Sequence, residues 1–249
     1  MRKSAICTVL AAGILIGSPL SAQESVSVFA TYYRCDTARE GDLDPVIVGA
    51  FARVLDPLVE AGRITSWGWR PHVVGTAWRR LATFTAPDRT ALLEVRADII
   101  AQVQDEQGAF AMLSDICGSH DDYIWSRVAS SETPAGGSPD PGGPGLSTYY
   151  TCNQAREARA DEIYAELIGP AIDAHVSMGH LSGWGWWAHD VGGEFRRIGT
   201  IAGADHATIL SMREQVVAAL AEEHPDEMEE FLTICPSHED YLWGPSMTG

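Results

Sequence analysis

The chain has 249 residues, with 34 acidic side chains against 17 basic ones and a formal charge of −17. Such a field repels nucleic acid and anionic lipid, so no nucleic-acid partner is expected. A solvated acidic surface accounts for the charge without an acid-seeking partner.

The first residues have the form of an export signal. Arg2 and Lys3 precede an apolar run over 5–17, and Pro19-Leu20-Ser21-Ala22 closes it with small residues. The run is too short to span a bilayer, and polar Gln23-Glu24-Ser25 follows at once. Residues 1–22 are expected to be a signal peptide. The mature protein is then exported, periplasmic or extracellular, with no membrane contact after cleavage.

Residues 26–33, rich in β-formers, predict a strand. A helix follows, clearest in a second copy downstream, where Ile163, Leu167, Ile168, Ala171 and Ile172 recur at helical spacing from Asp161. Gly62 and Gly179 stand where a glycine would end such helices. Residues 64–74 and 78–84 predict two strands joined at Gly75-Thr76, with Gly192-Gly193 in the second copy. A second helix begins near Asp88, carrying Leu92, Leu93, Val95, Ile99, Ile100 and Val103. Short helical stretches at 110–113 and 228–232 precede last strands at 123–125 and 241–243.

These copies form an internal repeat. Thr31-Tyr32-Tyr33-Arg34-Cys35 recurs as Thr148-Tyr149-Tyr150-Thr151-Cys152, and Trp67-Gly68-Trp69 as Trp184-Gly185-Trp186. His72 and Arg79-Arg80 recur as His189 and Arg196-Arg197, all at an offset of 117. Without gaps, 19 of 50 positions match between 31–80 and 148–197. Near the end the offset is 118, where Cys117-Gly118-Ser119-His120-Asp121-Asp122-Tyr123-Ile124-Trp125 matches Cys235-Pro236-Ser237-His238-Glu239-Asp240-Tyr241-Leu242-Trp243. A Pro/Gly/Ser-rich stretch, 130–145, separates the copies and reads as a linker. The expected domains are therefore 23–129 and 146–249.

Beyond the signal, four cysteines remain, and an even count in an exported chain suggests disulfides. Each unit owns one early and one late cysteine, so the repeat selects Cys35–Cys117 and Cys152–Cys235 from three pairings. Each loop of roughly eighty residues would stabilise the fold by about 4 kcal/mol in the chain-entropy picture. The paired-cysteine spacing of structural zinc sites is absent, and no metal is expected.

The order β-α-β-β-α-β, met twice, predicts an α+β fold of two tandem ferredoxin-like units. In that plan the first and last strands are neighbours, which brings the paired cysteines together. Each sheet has one face open after its helices are placed. Packing the two sheet to sheet would give a pseudo-dimeric α/β barrel. In this the chain resembles the dimeric α/β-barrel superfamily, over about 31–125 and 148–243. The resemblance rests on topology, duplication and strand–helix spacing, not on a motif. It implies a central cavity and either an intrachain pseudo-dimer or a homodimer. Activities in the superfamily include cofactor-free monooxygenases, lactone isomerases and haem enzymes. The fold alone does not choose among them. No cofactor is predicted from the residues; the resemblance admits haem.

Several recurring residues are candidates for a site. Trp67 and Trp69 point to one strand face, as do Trp184 and Trp186, with Trp187 on the other. They could line a cavity and stack a flat ligand, or pack between sheet and helices. One of Arg79 and Arg80, and one of Arg196 and Arg197, must face inward or into the helix layer, where Arg79 and Arg196 could bind a ligand carboxylate. Tyr32 and Tyr149 could orient a polar ligand. His72, His189, His120 and His238 are weak candidates for acid–base work, with a structural role the stronger alternative. The leading expectation is an exported protein that binds a partly apolar small molecule. An enzyme of monooxygenase or isomerase type and a structural protein of the cell envelope are the alternatives.

Overall fold

The computed structural model describes residues 26–103, 106–131 and 142–248. The expected signal peptide and residues 132–141 of the expected linker lie outside the described residues. The first half runs β1 (Ser27–Arg34), α1 (Glu40–Glu60), β2 (Ser66–Val74), β3 (Arg80–Ala86), α2 (Arg89–Val103), α3 (Gln107–Ile116) and β4 (Ser119–Ser130). The second runs β5 (Gly145–Thr151), α4 (Glu157–Ile163), α5 (Gly169–Ser177), β6 (Leu181–Val191), β7 (Arg197–Gly203), α6 (His206–Glu223), α7 (Pro225–Ile234) and β8 (Ser237–Trp243).

α1 buries Leu43, Ile47, Ala50, Val54 and Leu58, a stripe at spacings of three and four. Its counterpart is not continuous: a π turn at Tyr164–Ile168 separates α4 from α5. Gly169 follows that turn because a Cβ there would lie 2.4 Å from the Trp184 ring. Gly62 and Gly179 turn the chain out of α1 and α5 at φ +67° and +76°.

The expectation of two ferredoxin-like sheets packed sheet to sheet is corrected by the strand pairing. All eight strands form one closed antiparallel barrel in the order β1-β3-β2-β8-β5-β7-β6-β4. Stacked sheets would leave four edges with unpaired N–H and C=O groups. Here β2 pairs with β8, and β4 pairs with β6 from Ile124↔Val191 to Ser130↔Gly185. β4 and β6 are the longest strands, at 12 and 11 residues, and form the more extensive seam. The closure occurs within one chain.

The helices cover the outside of the barrel, and polar staples fix them there. Asp44 of α1 accepts from Trp69 Nε1 at 2.8 Å and from Arg80 Nε and Nη2 at 2.7 and 2.8 Å. Asp161 of α4 repeats this with Trp186 and Arg197. Trp67 and Trp184 donate to Asp56 and Asp173, each at 2.7 Å. Glu40 and Glu157 receive Arg79 and Arg196. Burial alone would raise these two glutamate carboxyls, yet the flanking arginines hold both below the usual range.

Two disulfides, Cys35–Cys117 and Cys152–Cys235, tie the end of each half's first strand to the start of its last. No helix among the described residues is long and apolar enough to cross a membrane. Both features are compatible with an exported protein.

Removing one partner of a buried pair leaves a desolvated charge. Asp44→Ala is therefore expected to cost about 3 kcal/mol or more of unfolding free energy in urea titrations, because Arg80 stays buried. Arg63→Ala, which breaks the exposed Arg63–Asp98 pair, is expected to change stability little.

Candidate functional site

Side chains alternate along a strand, so every second residue faces the barrel interior. The inward set is aromatic: Tyr32, Trp78, Tyr123, Trp125, Tyr149, Phe195, Tyr241 and Trp243, with Ala30, Leu81 and Ile198. Tyr32 and Tyr149 are counterparts in the repeat, as are Trp125 and Trp243, so the halves contribute matching rings. Tyr32 meets Tyr149 edge to face, with centroids 5.5 Å apart.

One barrel end is plugged. Trp78 stacks on Tyr32 at 4.2 Å and on Tyr241 at 5.0 Å. The Tyr241 hydroxyl accepts from the Ala77 amide at 3.1 Å, so a tyrosine of the second half caps the β2–β3 turn of the first. Glycine is required where those turns fold onto the rings. A Cβ at Gly75 would sit 2.3 Å from Tyr241, and at Gly192 2.4 Å from Tyr123, and both backbones have positive φ.

The opposite end holds a cavity of about 390 Å³. This falls within the roughly 300–1,000 Å³ of ligand pockets. Tyr32, Trp125, Tyr149 and Trp243 lie at its inner side, and Leu81, Ile198, Thr83, Thr200 and Trp187 form walls. Trp125 Nε1, Trp243 Nε1 and the Tyr149 hydroxyl are buried here with no hydrogen bond of normal geometry, although Trp125 lies near the Tyr32 hydroxyl and Trp243 near that of Tyr149. A buried polar group left unsatisfied costs about 1–3 kcal/mol. Desolvation pushes the Tyr32 and Tyr149 phenols well up, so both stay protonated and able to donate. The residues that carry these donors border the cavity, while the donor atoms themselves have almost no accessible surface.

Of the residues singled out in the sequence, Tyr32 and Tyr149 face this cavity. Trp67, Trp69 and Trp186 face the helices, where carboxylates hold their indole N–H groups. Trp184 is held likewise, yet also borders the cavity. Arg79 and Arg196 serve the staples on the outside. His120 and His238 stand half-exposed, 3.8 and 3.9 Å from Asp122 and Asp240. Trp125 and Trp243 were not singled out, although Tyr-x-Trp ends both repeats at strand spacing. Arg70, Arg127 and Trp187 also line the cavity and carry no repeat signal.

His72 and His189 lie against the aromatic plug: His72 beside Tyr241 and Trp243, His189 beside Tyr123 and Trp125. Each accepts at Nδ1 from a guanidinium, Arg79 or Arg196, at 2.6 Å. Arginine can only donate, so each imidazole carries its hydrogen on Nε2, a buried atom without a partner. Burial first, and the adjacent guanidinium second, lower both imidazole pKa values. Neutral histidine is thus the folded form.

Haem requires an axial histidine, cysteine, methionine or tyrosinate. Among the described residues the barrel cavity is lined by no histidine, cysteine or methionine, and its tyrosines are neutral phenols. A second cavity between sheet and helices, bordered by Met228 and His238, measures about 190 Å³, below the usual ligand range. Among the described residues neither cavity offers haem both an axial ligand and room.

No protein-family model matches the chain. No curated protein resembles it in sequence. Solved structures do resemble it in fold. An anthrone oxidase-like protein matches at TM-score 0.58 with 10% identity, covering 89% of this chain and 92% of its own. A provisionally assigned monooxygenase from Fusobacterium nucleatum matches at TM-score 0.58 with 7% identity, covering 89% and 93%. A haem-binding protein from Thermus thermophilus aligns at TM-score 0.48 with 13% identity, over 89% and 91%. The first two are dimeric α/β-barrel proteins, and the fold of this chain is of that kind.

The histidines predict a pH dependence. Their folded pKa values lie below the unfolded 6.5, so the unfolded chain takes up protons first. Their contribution is complete above pH 6.5 and is lost as the pH falls below it. Melting temperature is expected to decline from pH 7.5 to 5. A His72→Asn/His189→Asn double variant, which keeps an acceptor for each arginine, is expected to show a shallower decline. The lowered Glu40 and Glu157 act only below their unfolded value of 4.5, outside this window.

Proposed function

We propose that this chain is an exported small-molecule-binding protein. Its ligand is flat, partly apolar and carries an oxygen acceptor, and it sits inside the barrel. The observation that carries this reading is a cavity of ligand size walled by Tyr32, Trp125, Tyr149 and Trp243, in which Trp125 Nε1, Trp243 Nε1 and the Tyr149 hydroxyl lack a hydrogen bond of normal geometry. An acceptor placed among them would satisfy groups that the fold leaves desolvated. The aromatic wall would supply stacking for a ligand of a few fused rings.

An enzyme of the kind that the names of the similar structures suggest is the second reading. General acid–base chemistry draws on imidazoles and carboxylates. Among the described residues the cavity lining contains neither, and its phenols are held protonated. That composition supports binding over turnover. A purely structural protein, its barrel filled by side chains, fits poorly with about 390 Å³ of internal space.

Tryptophan fluorescence titrations and thermal melts with 1-naphthol and 9-fluorenone test the proposal. Saturable binding and a raised melting temperature are expected. Trp125→Phe and Trp243→Phe are each expected to weaken binding by about fivefold to tenfold, the loss of one hydrogen bond. Trp67→Phe, in the helix layer, should leave affinity unchanged. Absence of binding, or wild-type affinity in both cavity variants, would exclude this ligand site.

A further inference from the structure

The cavity differs in charge from the chain around it. Acidic side chains outnumber basic ones two to one in the sequence, 34 to 17. Yet among the described residues lining the cavity no side chain is acidic, and the two charged ones are Arg70 and Arg127. Both lie on inward strand positions. On β2, Gly68, Arg70 and His72 alternate with the outward Trp67 and Trp69. On β4, Arg127 continues the inward series Tyr123, Trp125. Arg127 is exposed, at the open end, and opposite the inward Trp187 across the β4–β6 seam. Arg70 Nη1 donates to the carbonyl oxygens of Gly143 and Gly244, which fixes its guanidinium beside the opening.

The internal repeat adds an independent argument. Residues that serve the outer staples recur in both halves, as do the inner rings Tyr32/Tyr149 and Trp125/Trp243 and the wall pairs Leu81/Ile198 and Thr83/Thr200. The two arginines do not recur. The counterpart of Arg70 is Trp187, and that of Arg127 is Pro245. Arg70 serves segments that occur once, at Gly143 and Gly244, whereas Arg127 makes no ion pair among the described residues. These cations are present once, both from the first half, and both at the mouth of the cavity.

We infer that the barrel selects anionic aromatic ligands of the carboxylate class, the aromatic body within the ring-lined interior and the carboxylate at Arg127, the exposed cation of the mouth. This rests on the binding reading above and names its ligand class. The mouth would be positive for a planar anion and would match it by bidentate, charge-assisted hydrogen bonds. The acidic outer surface is screened beyond about 8–10 Å at physiological salt, so distant acidic groups oppose this contact little.

Calorimetric titration of the full chain with 2-naphthoate and 2-naphthamide, which share ring system and carbonyl, isolates the charge. The naphthoate is expected to bind at least about tenfold more tightly. Arg127→Gln should bring naphthoate affinity close to that of the amide and leave the amide within about twofold, with the ligand-free melting temperature unchanged. Arg127→Lys should retain part of the preference, as a point charge without the fork. Equal affinities for the two ligands in the unaltered chain would overturn the selectivity while leaving the binding site in place. Binding of neither would overturn both, and an undiminished preference in Arg127→Gln would remove Arg127 from the account.

Discussion

Edge-to-edge closure is the constraint on which the rest of this structure depends. Each half-sheet ends in two strands with unpaired backbone groups. Both pairs of edges are satisfied only by the other half, β2 with β8 and β4 with β6. The inner faces then no longer need to stack. They become one enclosed space, too wide to fill with aliphatic residues alone, and eight aromatic rings occupy it. The halves also lock at the plugged end, where Tyr241 accepts from the turn of the first half and Tyr123 packs on Gly192 and Gly193 of the second. Each disulfide stays within its own half and holds that half's first strand beside its last, presenting the edges for closure.

The repeated residues divide by the side of the wall they occupy. Outside, tryptophan, arginine and carboxylate form the same staple twice: Trp69–Asp44–Arg80 and Trp186–Asp161–Arg197. Burying an indole and a guanidinium against one carboxylate satisfies all three and fixes helix to sheet. The histidines extend this network inward, each held neutral by burial and by its arginine. Inside, the repeat breaks where the cavity opens. Trp187 stands opposite Arg127, and neither has a like counterpart in the other half.

Much of the scaffold was legible in the sequence because it is written twice. The strand and helix order, the helix-ending glycines and the pairing of four cysteines all follow from periodicity and the offset of 117. The edge-to-edge pairing that closes the barrel was not legible. A strand's own residues say which face is apolar, but an edge's partner depends on the curvature of the whole sheet. The tryptophan pairs recur as conspicuously as ligand-stacking rings would, yet Trp67, Trp69 and Trp186 face the helices. The signal that could have placed them was also repeated: Asp44/Asp161 and Asp56/Asp173 stand at matching positions, one acceptor for each indole. Trp125 and Trp243 were readable as inward rings only once the barrel closed around them.

The indole N–H groups allow a direct test of the central claim, that the ligand sits among the indole and phenol donors of the barrel. All eight tryptophans carry a resolvable Nε1–H proton. On titration with 9-fluorenone, whose carbonyl supplies the acceptor, the Trp125 and Trp243 indole resonances should move most. Those of Trp67, Trp69 and Trp186, already bonded to Asp56, Asp44 and Asp161, should stay in place. A saturating titration that shifts the outer set and leaves Trp125 and Trp243 unmoved would contradict the account.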